Sequence, residues 1–257
     1  MSELKAIDVN VDMGESFGRW ALGDDAALMP YISSANIACG FHAGDPGAMR
    51  RTVTAAVEHG LQIGVHVALP DLLGFGRRQM SIAADDLTDY CTYQIGALAA
   101  FAEAEGASIA HVKPHGALYA MASKDPELAG AIARSVAEVD AGLILLLLRR
   151  DVAPAVEEHG VRLITEAFPD LAYDPDGNLI IEAVKQAWDP EEVAARAVRV
   201  AREQKIAAND GADIEVDAPT ICLHGDAPNA ADVARAVHAG LEDAGVEVTP
   251  LARILAG

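Results

Sequence analysis

The stretch HVKPHGALY, residues 111–119, decides how the fold is read. His111 and Lys113 stand two apart, so on an extended chain they share one face. SIAHVK (108–113) reads as a strand; Pro114 and Gly116 break it, and the residues beyond are helix-like. Polar side chains closing a strand either coat a solvated face or point into a site. The rest of the chain decides between the two.

Working outward, short apolar runs alternate with helical patterns. Strands are predicted at 7–11, 33–38, 62–66, 108–113, 143–148, 161–165 and 219–224. Helices are predicted at 46–59, 85–105, 126–139, 151–159, 190–204 and 229–244. Asp45 before Pro46, and Asp189 before Pro190, pair a capping side chain with a residue suited to the first helical turn. Val193, Ala197 and Val200 share a helix face, as do Val233, Val237 and Leu241. His59 and His159, each followed by glycine, suit helix C-termini; His238 reads as an exposed helix residue. Such alternation implies a parallel sheet with helices on its faces. Seven strands without a dinucleotide-binding glycine fingerprint favour an α/β barrel over an open sheet. A barrel places its functional side chains at the C-terminal ends of the strands.

The chain has 257 residues, 51% hydrophobic and only 5% aromatic, which fits one barrel domain spanning 1–257 with an aliphatic core. Its formal net charge of −20 argues against nucleic acid and anionic membranes as partners. No apolar run has the roughly 20 residues of a membrane span, and the first residues carry no signal-peptide pattern. A cytoplasmic protein is expected. Cys39, Cys91 and Cys222 are far apart, so neither a disulfide framework nor a zinc knot is expected.

Six of the seven predicted strands end in His, Asp, Glu or Lys. The first, DVNVDMGESFG, carries Asp8, Asn10 and Asp12 on one face, with Glu15 just beyond. The second leads through Asn36 to His42 and Asp45. The third ends at His66, the fourth at Lys113 and His115, the sixth at Glu166, and the seventh at His224 and Asp226. The histidines can serve as general bases near neutral pH. The carboxylates can act as acid or base, or hold a divalent metal together with the histidines. Lys113 can stabilise an oxyanion, with damage to turnover far exceeding damage to folding when it is removed. Arg77 and Arg78 in GFGRR can receive a phosphate or a carboxylate. Cys39 is the weaker option of a nucleophile in an apolar run. The chain has neither a GxSxG elbow nor a phosphate-binding P-loop.

At these residues the sequence resembles the lactam-utilisation (LamB/YcsF) family, the A subunits of prokaryotic 5-oxoprolinase. The matching motifs are DVNVDMGESFG, ANIACGFHAGDP, PDLLGFGRR, HVKPHGALY and ICLHGDAPNA, running from residue 8 to about 250. The resemblance implies a distorted seven-stranded (β/α) barrel like those of the glycoside hydrolase/polysaccharide deacetylase superfamily. It implies ATP-dependent opening of 5-oxoproline to glutamate, with separate B and C subunits. Carried onto matching positions, the catalytic candidates are Asp12, Glu15, His42, His66, Lys113, His115 and Glu166. The substrate-binding candidates are Asn10, Asn36, Arg77, Arg78, Tyr119, His224 and Asp226. Val67 stands where the family usually has proline, Leu171 where it has arginine, and Glu182 near a second arginine. These departures keep an alternative open: a stand-alone, ATP-independent hydrolase of a less acidic cyclic amide. A non-enzymatic scaffold would not need six polar strand ends.

Overall fold

The computed structural model describes residues 4–180 and 186–256. Strands β1 (Ala6–Met13), β2 (Ser34–Ala38), β3 (Gln62–Val67), β4 (Ile109–Pro114), β5 (Ile144–Leu147) and β6 (Arg162–Ala167) come first. Between them lie α1 (Asp25–Leu28), α2 (Pro46–Glu58), α3 (Ala84–Ala104), α4 (Gly116–Ala122), α5 (Pro126–Asp140) and α6 (Ala153–Glu157). Two short hairpins, β7 (Ala172–Tyr173) with β8 (Leu179–Ile180) and β9 (Lys205–Ala207) with β10 (Asp213–Glu215), precede and follow α7 (Pro190–Glu203). Then come β11 (Thr220–His224), α8 (Ala230–Asp243), β12 (Glu247–Val248) and α9 (Leu251–Ala256). Pairing runs β11–β6–β5–β4–β3–β2–β1, and β11 pairs again with β1. The seven strands expected from the sequence therefore close into a parallel (β/α) barrel. Among the described residues, no helix is long and apolar enough to cross a membrane.

Local chemistry explains the element ends. Asp45 accepts from the Ala48 amide at 2.8 Å, and Pro46 opens α2. Asp189 does the same for Glu191 at 2.9 Å before Pro190. His59 sits at the C-cap of α2, where its Nδ1 donates to the Ala55 carbonyl at 2.9 Å. The helix expected at 151–159 is shorter. A 3-10 turn at Arg150–Val152 comes first, and the α-helix covers only Ala153–Glu157. Pro154 is the reason: it lacks an N–H and is tolerated only in a first turn.

Contacts divide the chain into two compact units. One comprises Asp12–Leu22 and Ala35–Thr165. There α3 packs on α5, and Leu87, Cys91, Ile95 and Leu98 are wholly buried, as are Ile132 and Val136. The other comprises Met1–Val11, Gly23–Ser34 and Glu166–Gly257. There α7 packs on α8, burying Val193, Ala197 and Val200 as well as Val233, Val237 and Leu241, the faces their spacing indicated. His238 departs from the exposed position expected of it. It is half-buried, and its Nδ1 donates to the Tyr31 carbonyl at 3.1 Å.

Strand β1 is buried on both faces. Ile7, Val9 and Val11 alternate with Asp8 and Asn10, and all five are 0% exposed. A buried carboxylate needs donors, and Asp8 has three. Ser33 and Ser34 hydroxyls donate to Oδ1 at 2.7 and 2.6 Å, and Thr220 donates to Oδ2 at 2.5 Å. Burial outweighs these donors and, with Glu166 adding repulsion, raises the Asp8 carboxyl to about 6.

The pH dependence has a definite sign. The folded carboxyl titrates above its unfolded value, so its stabilising contribution is full below about pH 4 and is lost as pH rises through 6. At 1.36 kcal/mol per pKa unit, this group costs roughly 3 kcal/mol by pH 7. Urea unfolding of the wild type and Asp8→Asn, compared at pH 4 and 7, should show the wild type losing about that much relative to the variant.

Candidate active site

The unit containing Asp12–Leu22 and Ala35–Thr165 gathers polar side chains from four strands and the loops after them. Asp12 comes from β1, Asn36 from β2, His66 from β3, and His111 and Lys113 from β4. Glu15, His42 and His115 lie in loops just past strand ends. All eight are buried. Asp12 Oδ1 accepts from Lys113 Nζ at 2.7 Å and from Asn36 Nδ2 at 2.9 Å, while Oδ2 lies 3.3 Å from His66 Nε2. Glu15 Oε1 is 3.0 Å from His42 Nε2 and 3.7 Å from His115 Nδ1. The His42 and His115 rings stack at 3.9 Å. Gly76, at φ 64°, lets the loop after β3 press on these rings; a Cβ there would sit 2.7 Å from His115 Cδ2 and 2.8 Å from His42 Cβ.

Hydrogen-bond partners fix where the imidazole protons are. A carbonyl oxygen only accepts. His115 Nε2 is 2.8 Å from the Phe75 carbonyl, so it carries the proton. Burial, with repulsion from His42 and His66, holds His115 well below the usual histidine range. Its Nδ1 is therefore bare. His66 Nδ1 donates to the Lys113 carbonyl at 2.9 Å. His66 thus turns its Nε2 inward, 3.0 Å from the bare Nδ1 of His115 and 3.3 Å from Asp12 Oδ2. Burial also lowers His42, against the pull of Glu15. Its Nε2 donates to Glu15, and its buried Nδ1 has no hydrogen-bond partner among the described residues.

Ring nitrogens and a carboxylate gathered at one place suit a positive charge between them. Glu15, His42, His66 and His115 each offer a ligand atom, and these atoms lie within 4.8 Å of one another. Histidines whose outer N–H is tied to a carbonyl are the usual arrangement for metal ligands. The donor set therefore fits a divalent cation of the kind imidazoles and carboxylates select.

The other candidates are placed differently. In the second unit, Asn10 Nδ2 donates to Glu166 Oε2 at 3.1 Å and to Thr220 at 2.8 Å. His224 Nδ1 is held by both Asp170 oxygens at 3.0 and 3.1 Å, and Phe168 stacks beside its ring. His224, Leu171, Ile180, Trp188 and Val233 line one cavity, so the residue standing in place of the family arginine is an apolar wall. Asp226 is half-buried in the loop after β11.

In the first unit, Arg78 is committed to Asp71, its Nε donating at 2.9 Å, so it braces its own loop. Arg77 lies over the Phe75 ring at 4.9 Å. Tyr119 is buried in α4. Burial pushes the Cys39 thiol up to about 12, which removes it as a nucleophile. Glu182 lies outside the described residues. Asp71, Asp170 and the Phe75 carbonyl were not singled out in the sequence. Asp71 carried one usable signal, an aspartate three residues before a glycine, where it caps a 3-10 turn.

Residues 7–256 match the LamB/YcsF family. The A component of 5-oxoprolinase from Thermus thermophilus is 48% identical over 245 residues, covering 94% of this chain and 98% of that one. The crystal structure of the lactam utilization protein from Thermus thermophilus superposes with a TM-score of 0.89 at 46% identity, covering 96% of this chain and all of that one. A family 4 carbohydrate esterase from Streptomyces lividans, with a TM-score of 0.52 at 11% identity over 95% of this chain and 91% of that one, shares the barrel fold alone. This chain belongs to the LamB/YcsF family.

Proposed function

We propose that the chain hydrolyses a cyclic amide, and that it does so in the cytoplasm as the A component of an ATP-dependent 5-oxoprolinase opening 5-oxoproline to glutamate. The observation that carries this reading is the buried cluster of Asp12, Glu15, His42, His66, Lys113 and His115, with inward-facing imidazole nitrogens beside a carboxylate. Relatives that are themselves the A component of a 5-oxoprolinase support B and C partners. ATP enters through that assembly, since this chain has no P-loop of its own.

The cluster suits lactam hydrolysis. A water oxygen bonds to the ring carbonyl carbon and passes a proton to the Glu15 carboxylate. The C–N bond then breaks, the ring nitrogen takes that proton back from Glu15 and leaves as an amine, and the carbon ends as a carboxylic acid that ionises to the carboxylate. His42, donating to Glu15 at 3.0 Å, orients that base. The Lys113 ammonium places a positive charge where the amide oxygen becomes negative. Glu15, His42, His66 and His115 would hold a divalent cation, which would supply Lewis acidity and a more acidic water. Leu171 in the wall of the His224 cavity favours a second reading, a less acidic lactam turned over without ATP or partners.

The test is glutamate release from 5-oxoproline by this chain with B and C subunits and ATP, beside uncharged lactams given to the chain alone. Glutamate formation requiring all three subunits and ATP is expected. Turnover of an uncharged lactam by the chain alone would establish the second reading instead. The ion pair also revises the expectation for Lys113. Lys113→Met leaves Asp12 buried without its cation, which should cost roughly 3–5 kcal/mol of stability in urea unfolding. In the protein that remains folded, turnover should fall on the order of 10²-fold or more.

A further inference from the structure

Beneath the cluster, a line of side chains leads to Asp12. Gln62 opens β3, His111 lies on β4, and Asn36 lies on β2. Gln62 Nε2 is 3.2 Å from His111 Nδ1, His111 Nε2 is 2.6 Å from Asn36 Oδ1, and Asn36 Nδ2 is 2.9 Å from Asp12 Oδ1. Each donor can be assigned. A carboxylate only accepts, so the Asn36 amide points its NH₂ at Asp12 and its oxygen at His111. That oxygen only accepts, so His111 carries its proton on Nε2. Its bare Nδ1 then accepts from Gln62. Burial and the neighbouring Lys113 push His111 down to about 3, which keeps one proton on the ring. Every bond in the line therefore donates toward Asp12.

Space has been cleared for this line. Gly64, on the strand beside His111, has no side chain, and a Cβ there would overlap the His111 ring. The result is that Asp12 Oδ1 is taken by Lys113 and Asn36, and Oδ2 is the oxygen that meets His66. A histidine that merely filled the core would need no acceptor on one side and no donor on the other.

We propose that His111 is a positioning residue for the hydrolytic reaction, acting through Asn36 to set which Asp12 oxygen faces His66. This rests on the reading that Asp12 serves the lactam hydrolysis. The test is a double-mutant cycle on kcat with His111→Leu, Asn36→Leu and both together, beside His111→Gln. A glutamine can accept from Gln62 and donate to Asn36, so it should restore turnover to within a few-fold of wild type. His111→Leu should lower kcat about 10- to 100-fold, the scale of misplacing a reacting group, with KM little changed. The double variant should be no worse than Asn36→Leu, the non-additivity of residues acting in series.

In parallel, hydrogen exchange of the Asn36 side-chain amide, read by NMR, should be slow in the wild type and His111→Gln. It should be at least tenfold faster in His111→Leu. This arm reads the amide directly and holds even if the protein hydrolyses no lactam. If His111→Leu does not fold, Gln62→Leu at the half-buried end of the line replaces it, with a smaller loss in the same direction. Multiplying kcat losses, a His111→Gln protein as impaired as His111→Leu, or unchanged Asn36 protection would each overturn the proposal.

Discussion

Two backbone carbonyls organise the candidate centre. Lys113 O takes the outer N–H of His66, and Phe75 O takes that of His115. Because a carbonyl can only accept, each ring spends one N–H outward and turns its other nitrogen inward, and the two meet at 3.0 Å. One carbonyl belongs to the strand beside His66 and the other to the loop after β3, so the barrel's own backbone sets which ring nitrogens face the site. The remaining side chains answer that constraint. Glu15 and Asp12 bring negative charge to the same place, Lys113 offsets one of them, and Gly76 allows the loop to close on the stacked rings.

Burying so much polarity is tolerable only when each group is satisfied, since an unpaired polar atom in low dielectric is costly. The network meets that condition in most places. Asp12 has Lys113 and Asn36, His111 has Asn36 and Gln62, and Asp8 has three hydroxyls. It departs from the condition at His42 Nδ1. Departures from satisfaction inside a rigid scaffold mark where a ligand or ion completes the structure. Here the unsatisfied atom belongs to the histidine that holds Glu15.

Much of this was legible in the sequence because strand alternation has a period of two. Asp8, Asn10 and Asp12 are spaced to share a face, and Lys113 follows His111 by the same rule. The barrel was legible from seven apolar runs separated by capped helices. The two hairpins were not, because strands of two or three residues show no periodicity. Arg78 looked like a ligand for anions, yet Asp71, seven residues earlier, claims it. His224 was legible as a strand-end histidine, but Asp170, fifty-four residues away in sequence, is brought to it only by tertiary folding. The two carbonyls that fix the imidazole protons have no side-chain signature at all, so the feature on which the centre depends was invisible before the fold was known.

Histidine-selective ¹⁵N NMR during titration with Zn²⁺ tests that dependence most directly. The account predicts a proton on His66 Nδ1 and on His115 Nε2 before and after metal addition. It predicts that His66 Nε2, His115 Nδ1 and a ring nitrogen of His42 shift to metal-bound values. A His115 ring protonated on Nδ1, or a titration that leaves both inward nitrogens unmoved, would contradict it.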